Sequence, residues 1–183
     1  MRKLITVVFA CLLALAGCSS DGPSSGGSGD TAGADFNDAD VMFAQMMIPH
    51  HQQAIEMAEL AESKSSNQQV LSLAADIKAA QQPEIDQLTG WLEDWGQPTS
   101  SDMGGHDMGG MMSPEQMAEL EAASGEQFDQ LWLQMMIEHH QGAIDMAKTE
   151  IAEGQNPDAV EMAKTIEQTQ QAEIDTMTDL LAA

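Results

Sequence analysis

The chain has no tyrosine, only three tryptophans and four phenylalanines, and only two cysteines in 183 residues. Lysine and arginine number 6 against 30 aspartates and glutamates, a formal net charge of -24. Each shortage excludes something. A surface so poor in basic groups repels nucleic acid and anionic lipid, and attracts cations weakly and without choice. No segment alternates convincingly as a strand would, which argues against a sheet. The one sustained apolar run, Leu4 to Ala16, is too short to cross a bilayer as a stable helix. Cys11 lies inside that run and Cys18 just after it, so no disulfide is expected in the folded part.

Arg2 and Lys3 precede the apolar run, and Leu15-Ala16-Gly17-Cys18 follows it. This order resembles a bacterial lipobox, in which cleavage leaves the cysteine to carry lipid. The expectation is a signal peptide over 1–18, lipidation at Cys18, and export to an oxidising space. Loss of Arg2 and Lys3 would take the charge to about -26. Residues 19–34 are rich in Ser, Gly and Asp with too little apolar surface to fold, the composition of a tether. Residues 35–183 then form one compact domain, lipid-anchored outside the cytoplasm of a bacterium.

What the chain does have is methionine, 15 residues, and an internal repeat. "MMIPHHQQAIEMA" from Met46 and "MMIEHHQGAIDMA" from Met135 differ at three of thirteen positions. A shift of 89 overlays Gln45 to Leu92 on the second half without a gap, and Glu84-Ile85-Asp86 falls on Glu173-Ile174-Asp175. Two copies of a long period indicate a duplicated unit rather than a solenoid. Each unit (36–96 and 125–183) reads as two helices: roughly Asn37 to Ser63, Asn67 to Trp95, Ser124 to Glu153, and Asn156 to Leu181. Ser124-Gly125-Glu126-Gln127 resembles a capping box, and Asn156-Pro157 a cap followed by a first-turn proline. The connection, 97–113, ends in a short helix opened by Ser113-Pro114. The predicted fold class is all-α: a ferritin-like four-helix bundle of two duplicated helical hairpins with a long crossover.

The seam of that bundle follows from spacing. Phe43, Met47, His50, Ala54, Met57 and Ala61 alternate in steps of four and three, as do Trp132, Met136, His139, Ala143, Met146 and Glu150. Ala74, Ile77, Gln81 and Leu88, with Ala163, Ile166, Gln170 and Met177, supply the second helices' share. With His50 at zero on a helical wheel, Met46 lies near about -40°, Met57 near about -20° and Met47 near about 60°. His51 flanks that face. Met135, Met136, Met146, His139 and His140 repeat the arrangement, so up to four imidazoles and six thioethers are expected at one level. Imidazole with thioether selects soft, late metals: Cu(I) and Ag(I), with Cu(II) taken by the imidazoles alone. Gln81 and Gln170 are the expected hydrogen-bond partners of the histidines, or orienting groups for them. Taken singly, a methionine at helical spacing is core filler.

The crossover carries a second stretch, "MGGHDMGGMM", with Met103, His106, Met108, Met111 and Met112. Glycines forbid a stable helix there, so these side chains are free to wrap a thioether-seeking ion. The stretch resembles Met-rich, His-containing segments of bacterial copper-resistance proteins. A flexible linker and a sacrificial sink for oxidants remain open for it.

The doubled Met-Met-Ile-x-His-His-Gln-x-Ala-Ile-[Glu/Asp]-Met-Ala motif resembles the signature of DUF305, a bacterial family of domains of unknown function with a copper-binding periplasmic member. The resemblance covers roughly Asp35 to Leu181. It implies a ferritin-like bundle and copper binding through Met46, Met47, His50, His51 and Met57, with Met135, Met136, His139, His140 and Met146. The expected function is an extracytoplasmic binder that buffers, sequesters or hands on copper, with a copper-handling protein as an unidentified partner. An enzyme is not expected: ferritin-like oxidases need Glu-x-x-His motifs, which are absent, and Glu150 is the one obvious seam acid. A metal-free helical interaction module at the membrane is the main alternative.

Overall fold

The computed structural model describes residues 35–99 and 109–183. The expected signal peptide, Cys18, the tether, and Met103, His106 and Met108 of the crossover lie outside the described residues. Five helices follow in order: α1 (Asp38–Lys64), α2 (Gln68–Asp94), α3 (Pro114–Ala122), α4 (Gly125–Glu153) and α5 (Pro157–Ala182). There is no strand among the described residues. No helix there is long and apolar enough to cross a membrane.

Local chemistry sets the boundaries. The Asn37 side chain accepts from the backbone N–H groups of Ala39 and Asp40, and the Asp40 carboxylate accepts from the Asn37 N–H, closing a capping box. Ser113 and Gln116 form a second box, with Pro114 in the first turn of α3. Asn67 caps α2, and Asn156 caps α5 ahead of Pro157. The expected cap at Ser124 does not form: its side chain makes no capping bond. Gly125, the first residue of α4, adopts a φ of +59°, outside the range that a regular helical first turn uses. α1 continues through Pro49 without a break.

α1 packs on α2 and α4 on α5 as two hairpins, joined face to face along α1 and α4. α1 and α4 run antiparallel. The Asn37 side chain at the start of α1 donates to the carbonyl of Glu153 at the end of α4 (2.8 Å), and the Trp132 indole donates to the carbonyl of Met57 (2.9 Å). Asp40, fully buried, accepts backbone N–H groups of Gln155 and Asn156 as well as Asn37, tying the start of α1 to the α4–α5 turn. The seam residues expected from spacing are buried, with Met146 alone half-buried. The core divides into two apolar clusters. One holds Phe43, Met47, Leu88, Leu92 and Ile166, the other Met57, Trp132, Met135, Met136 and Leu120. Between these clusters in sequence, on α1 and α4, stand the histidines.

The end of the crossover is clasped onto the bundle. Gln53 donates through its amide to the Met112 carbonyl (2.9 Å) and accepts from the Met112 N–H (2.7 Å). Gly110 takes a φ of +84° and lies on α4 so closely that a Cβ would stand 2.7 Å from the Glu138 carbonyl. A Cβ on Gly142 would meet the Gly109 carbonyl at 1.9 Å. Gln53 and Gly142 are the same position of the repeat. The copies therefore differ where one must hold the crossover by its backbone and the other must make room for it.

Candidate metal centre

His50, His51, His139 and His140 are all fully buried. The rings of His50 and His139 meet across the α1–α4 interface with centroids 3.8 Å apart, tilted by 41°. Helix midpoints brought level by antiparallel packing put the two copies of the motif opposite each other. The rings of His139 and His140 are 6.4 Å apart. Both nitrogens of His50 and both of His139 lack hydrogen-bond partners. An imidazole stripped of water without replacement is costly, because each polar atom left unpaired in a core loses about 1–3 kcal/mol.

The outer pair is held differently. His51 Nε2 lies 2.8 Å from Glu84 Oε2, and His140 Nε2 lies 2.7 Å from Glu173 Oε2. An ionised carboxylate only accepts, so Nε2 of each ring donates to it. A ring that carries this one proton alone has its lone pair on Nδ1, and in both rings Nδ1 is buried and unpartnered. A carboxylate that fixes the distal nitrogen while the other faces inward is the arrangement used to orient ligating histidines. The expected partners, Gln81 and Gln170, do not play this part. Both are buried, but Gln81 Oε1 and Nε2 and Gln170 Oε1 have no hydrogen-bond partner. They sit one turn before Glu84 and Glu173, and it is the glutamates, about one-fifth exposed at the rim, that reach the rings.

Burial keeps His50 and His139 neutral. It lowers the His50 pKa to about 3, helped by the charges of His51 and His140 and opposed by the Gly109 backbone. His139 is held well below its ordinary value by burial first, then by His50, His140 and His51. At the far end of α4, Glu150 is only 1 % exposed with both carboxyl oxygens unpartnered at hydrogen-bonding geometry. Burial, with Asp40 beside it, pushes its pKa up to about 8.

These shifts predict the pH profile of the metal-free fold. Between pH 4.5 and 6.5 the unfolded chain carries protons on His50 and His139, whereas the folded chain carries one on Glu150. The unfolded state thus binds one more proton, and stability falls by about 1.4 kcal/mol per pH unit on acidification. Between 6.5 and 8 only folded Glu150 holds a proton, so stability falls as pH rises. Urea denaturation across pH should show a maximum near 6.5, displaced upward in a Glu150→Gln variant, which removes the alkaline limb.

The thioethers divide into two groups. Met47, Met57 and Met136 are fully buried and Met135 nearly so, whereas Met46 and Met146 are half-buried beside a surface cavity. Met112 packs in the apolar cluster with Met57, Leu120 and Trp132, and Met111 lines a groove by α3 with Gln53 and Met117. The structure therefore brings the histidines together and leaves Met111 and Met112 on the side where the crossover enters. Among the described residues no three His, Cys, Asp or Glu side chains form a group able to hold a metal ion. A site here has to draw on the buried ring nitrogens together with sulfur. A neutral imidazole offers one lone pair, so at most four of the six unpartnered nitrogens could ligate such an ion.

The family model described as a domain of unknown function, DUF305, matches residues 40–181. Solved structures share the fold. A DUF305 protein of Streptomyces coelicolor, named as a candidate secreted protein, is 34 % identical with a TM-score of 0.75, covering 79 % of this chain and 92 % of its own. A DUF305 fragment from Deinococcus radiodurans is also 34 % identical, with a TM-score of 0.73 over 80 % of this chain and 97 % of its own. CopM in its Cu(I)-bound form is 31 % identical, with a TM-score of 0.67, covering 77 % of this chain and 94 % of its own. CopM is also known in Cu(II)-bound, Ag-bound and apo forms. No curated protein sequence matches the chain.

Proposed function

The chain belongs to the DUF305 family, and from that premise and its four-histidine layer we propose that it binds a monovalent soft metal ion, Cu(I) or Ag(I), outside the cytoplasm. The observation that carries this reading is the set of six buried imidazole nitrogens with no partner, two of them backed by carboxylates from the neighbouring helices. CopM, with the same fold, holds Cu(I), Cu(II) and Ag in solved structures.

Binding at this layer needs little rearrangement of protons. His50 and His139 are neutral when the fold is empty, so an arriving cation displaces no proton from them near neutral pH. His51 and His140 offer Nδ1 lone pairs oriented by Glu84 and Glu173. Sulfur from Met47, Met57, Met135 and Met136 lies on the same helices, within a turn or two of the rings. Imidazole with thioether favours Cu(I) and Ag(I) over Zn(II), which takes thiolate or carboxylate beside imidazole, and over Mg and Ca, which want oxygen. The ion is cargo to be buffered or sequestered, and the protein acts as a binder rather than a catalyst. A lipid anchor at Cys18 would hold it to the outer side of a bacterial membrane.

Cu(I) titration of the domain from Asp35 onward, under reducing conditions, tests this. Tight binding is expected, together with a rise in melting temperature that a chelator reverses. Affinity no greater than that of a variant with all four histidines changed to alanine would end the reading and favour a metal-free interaction module. Changing Glu84→Gln and Glu173→Gln should weaken Cu(I) binding by about 10–100-fold while leaving the helix content unchanged, since these groups orient ligands without being ligands.

A further inference from the structure

The duplication makes the two ends of the histidine layer equivalent in sequence, yet they are finished in opposite ways. By the shift of 89, Met57 corresponds to Met146 and Met135 to Met46. Met57 and Met135 are sealed into an apolar cluster with Met112, Leu120 and Trp132, where the crossover and α3 cover them. Their counterparts Met46 and Met146 instead line a cavity of about 380 Å³ at the surface between α1 and α4. The same cavity is lined by Met42 and Glu150.

Neither of these two follows the repeat. Met42 stands where the second copy has Leu131, and Glu150 where the first has Ala61. Met42 is 46 % exposed, the one large hydrophobic side chain in that condition among the described residues. An exposed methionine gains no burial energy that would explain it. Glu150 is the opposite anomaly, a buried carboxyl beside Asp40 in a residue that lines the cavity. Asp38 and Glu153, both exposed, stand at the mouth, where their charge draws cations. Three thioethers on one cavity match the preferences of a soft monovalent cation, and the acids at the rim draw cations toward it. Met46 and Met146 also line the adjoining cavity with Gly109, Gly110 and Gly142, over the part of α4 that follows His139.

We propose that Met42, Met46 and Met146 form a second, outer binding site for a monovalent soft metal ion, separate from the histidine layer and lying on its open side. The choice of ion rests on the reading given under Proposed function; the site itself does not need the histidines. Silver(I) added to protein labelled with 13C at the methionine methyls tests it, read by two-dimensional NMR in wild type and in a His50→Leu/His139→Leu variant. The expected result is that the methyl signals of Met42, Met46 and Met146 shift together on silver addition in both proteins. Met42→Leu combined with Met146→Leu should then weaken silver binding to the histidine-depleted variant at least tenfold. Three unmoved signals in both proteins would overturn the outer site even if silver bound the histidines. Shifts in wild type alone would overturn its independence, making these methionines part of one inner site. Shifts in both proteins with no effect of the histidine changes on total binding would uphold the outer site while removing the inner one.

Discussion

Replacing both central histidines with leucine should make the empty protein more stable while removing its high-affinity inner site. In a His50→Leu/His139→Leu variant four buried nitrogens without a well-formed hydrogen bond disappear. A gain of about 2 kcal/mol or more is expected, read as a rise of roughly 4–8 °C in the melting temperature of the metal-free domain. The same change should lower high-affinity binding of Cu(I) at least about a hundredfold, or about 2.7 kcal/mol. The acid limb of the pH profile should vanish too, because the two rings whose pKa burial lowers are gone. Stability and function pull in opposite directions at a site held ready for a ligand. If the rings served packing alone, the substitution would give no such reversal.

The second large effect is expected at a glycine remote from any ligand. Gly142→Gln would restore the residue that the first copy carries at this position, making the two motifs more alike. It should nonetheless destabilise the protein by about 3 kcal/mol, the upper part of the usual range for overpacking. The obstacle is backbone, the Gly109 carbonyl 1.9 Å from the new Cβ, so no side-chain rotation relieves it. The crossover would have to lift from α4, and the Gln53–Met112 clasp would be strained with it. Urea denaturation measures the loss, and proteolysis near the crossover should quicken. Gly90→Ala is the control: a Cβ there meets nothing within 4 Å, and alanine inside a helix should stabilise by about 0.5–1 kcal/mol.

Much of this architecture was legible because duplication wrote it twice. Helix limits followed from Asn37, Asn67, Ser113 and Asn156, each a cap whose side-chain oxygen finds N–H groups within its own turn. The burial of His50 and His139 followed from steps of three and four along each helix. Cap chemistry failed at Ser124 because Gly125 was free to adopt a left-handed backbone that sequence patterns do not reveal. The histidine partners were misread for a different reason. Gln81 and Gln170 occupy seam positions and were natural choices, whereas Glu84 and Glu173 lie three residues on, at the flank of the seam. A long carboxylate at the flank can keep its stem at the rim and still reach a ring inside. One clue was present: His51 to Glu84 and His140 to Glu173 are the same 33 residues apart.

The docking of the crossover was hidden in a similar way. Of the three positions where the motifs disagree, Gln53 against Gly142 carries the asymmetry of the fold, because one chain segment must cross a nearly symmetric pair of hairpins on one side. That crossing seals Met57 and Met135 and leaves Met46 and Met146 facing a cavity. Spacing alone made these four methionines equivalent. Burial separates them, and with them the sulfur available to an inner ion from the sulfur available to an outer one.

X-ray absorption at the copper edge, on protein loaded with one equivalent of Cu(I) and freed of excess metal, tests the central claim most directly. Imidazole nitrogen and thioether sulfur should both appear around the copper, and the nitrogen contribution should fall in the His50→Leu/His139→Leu variant and vanish when all four histidines are changed to alanine. Copper that washes off, or a first shell without imidazole in the unaltered protein, would contradict it.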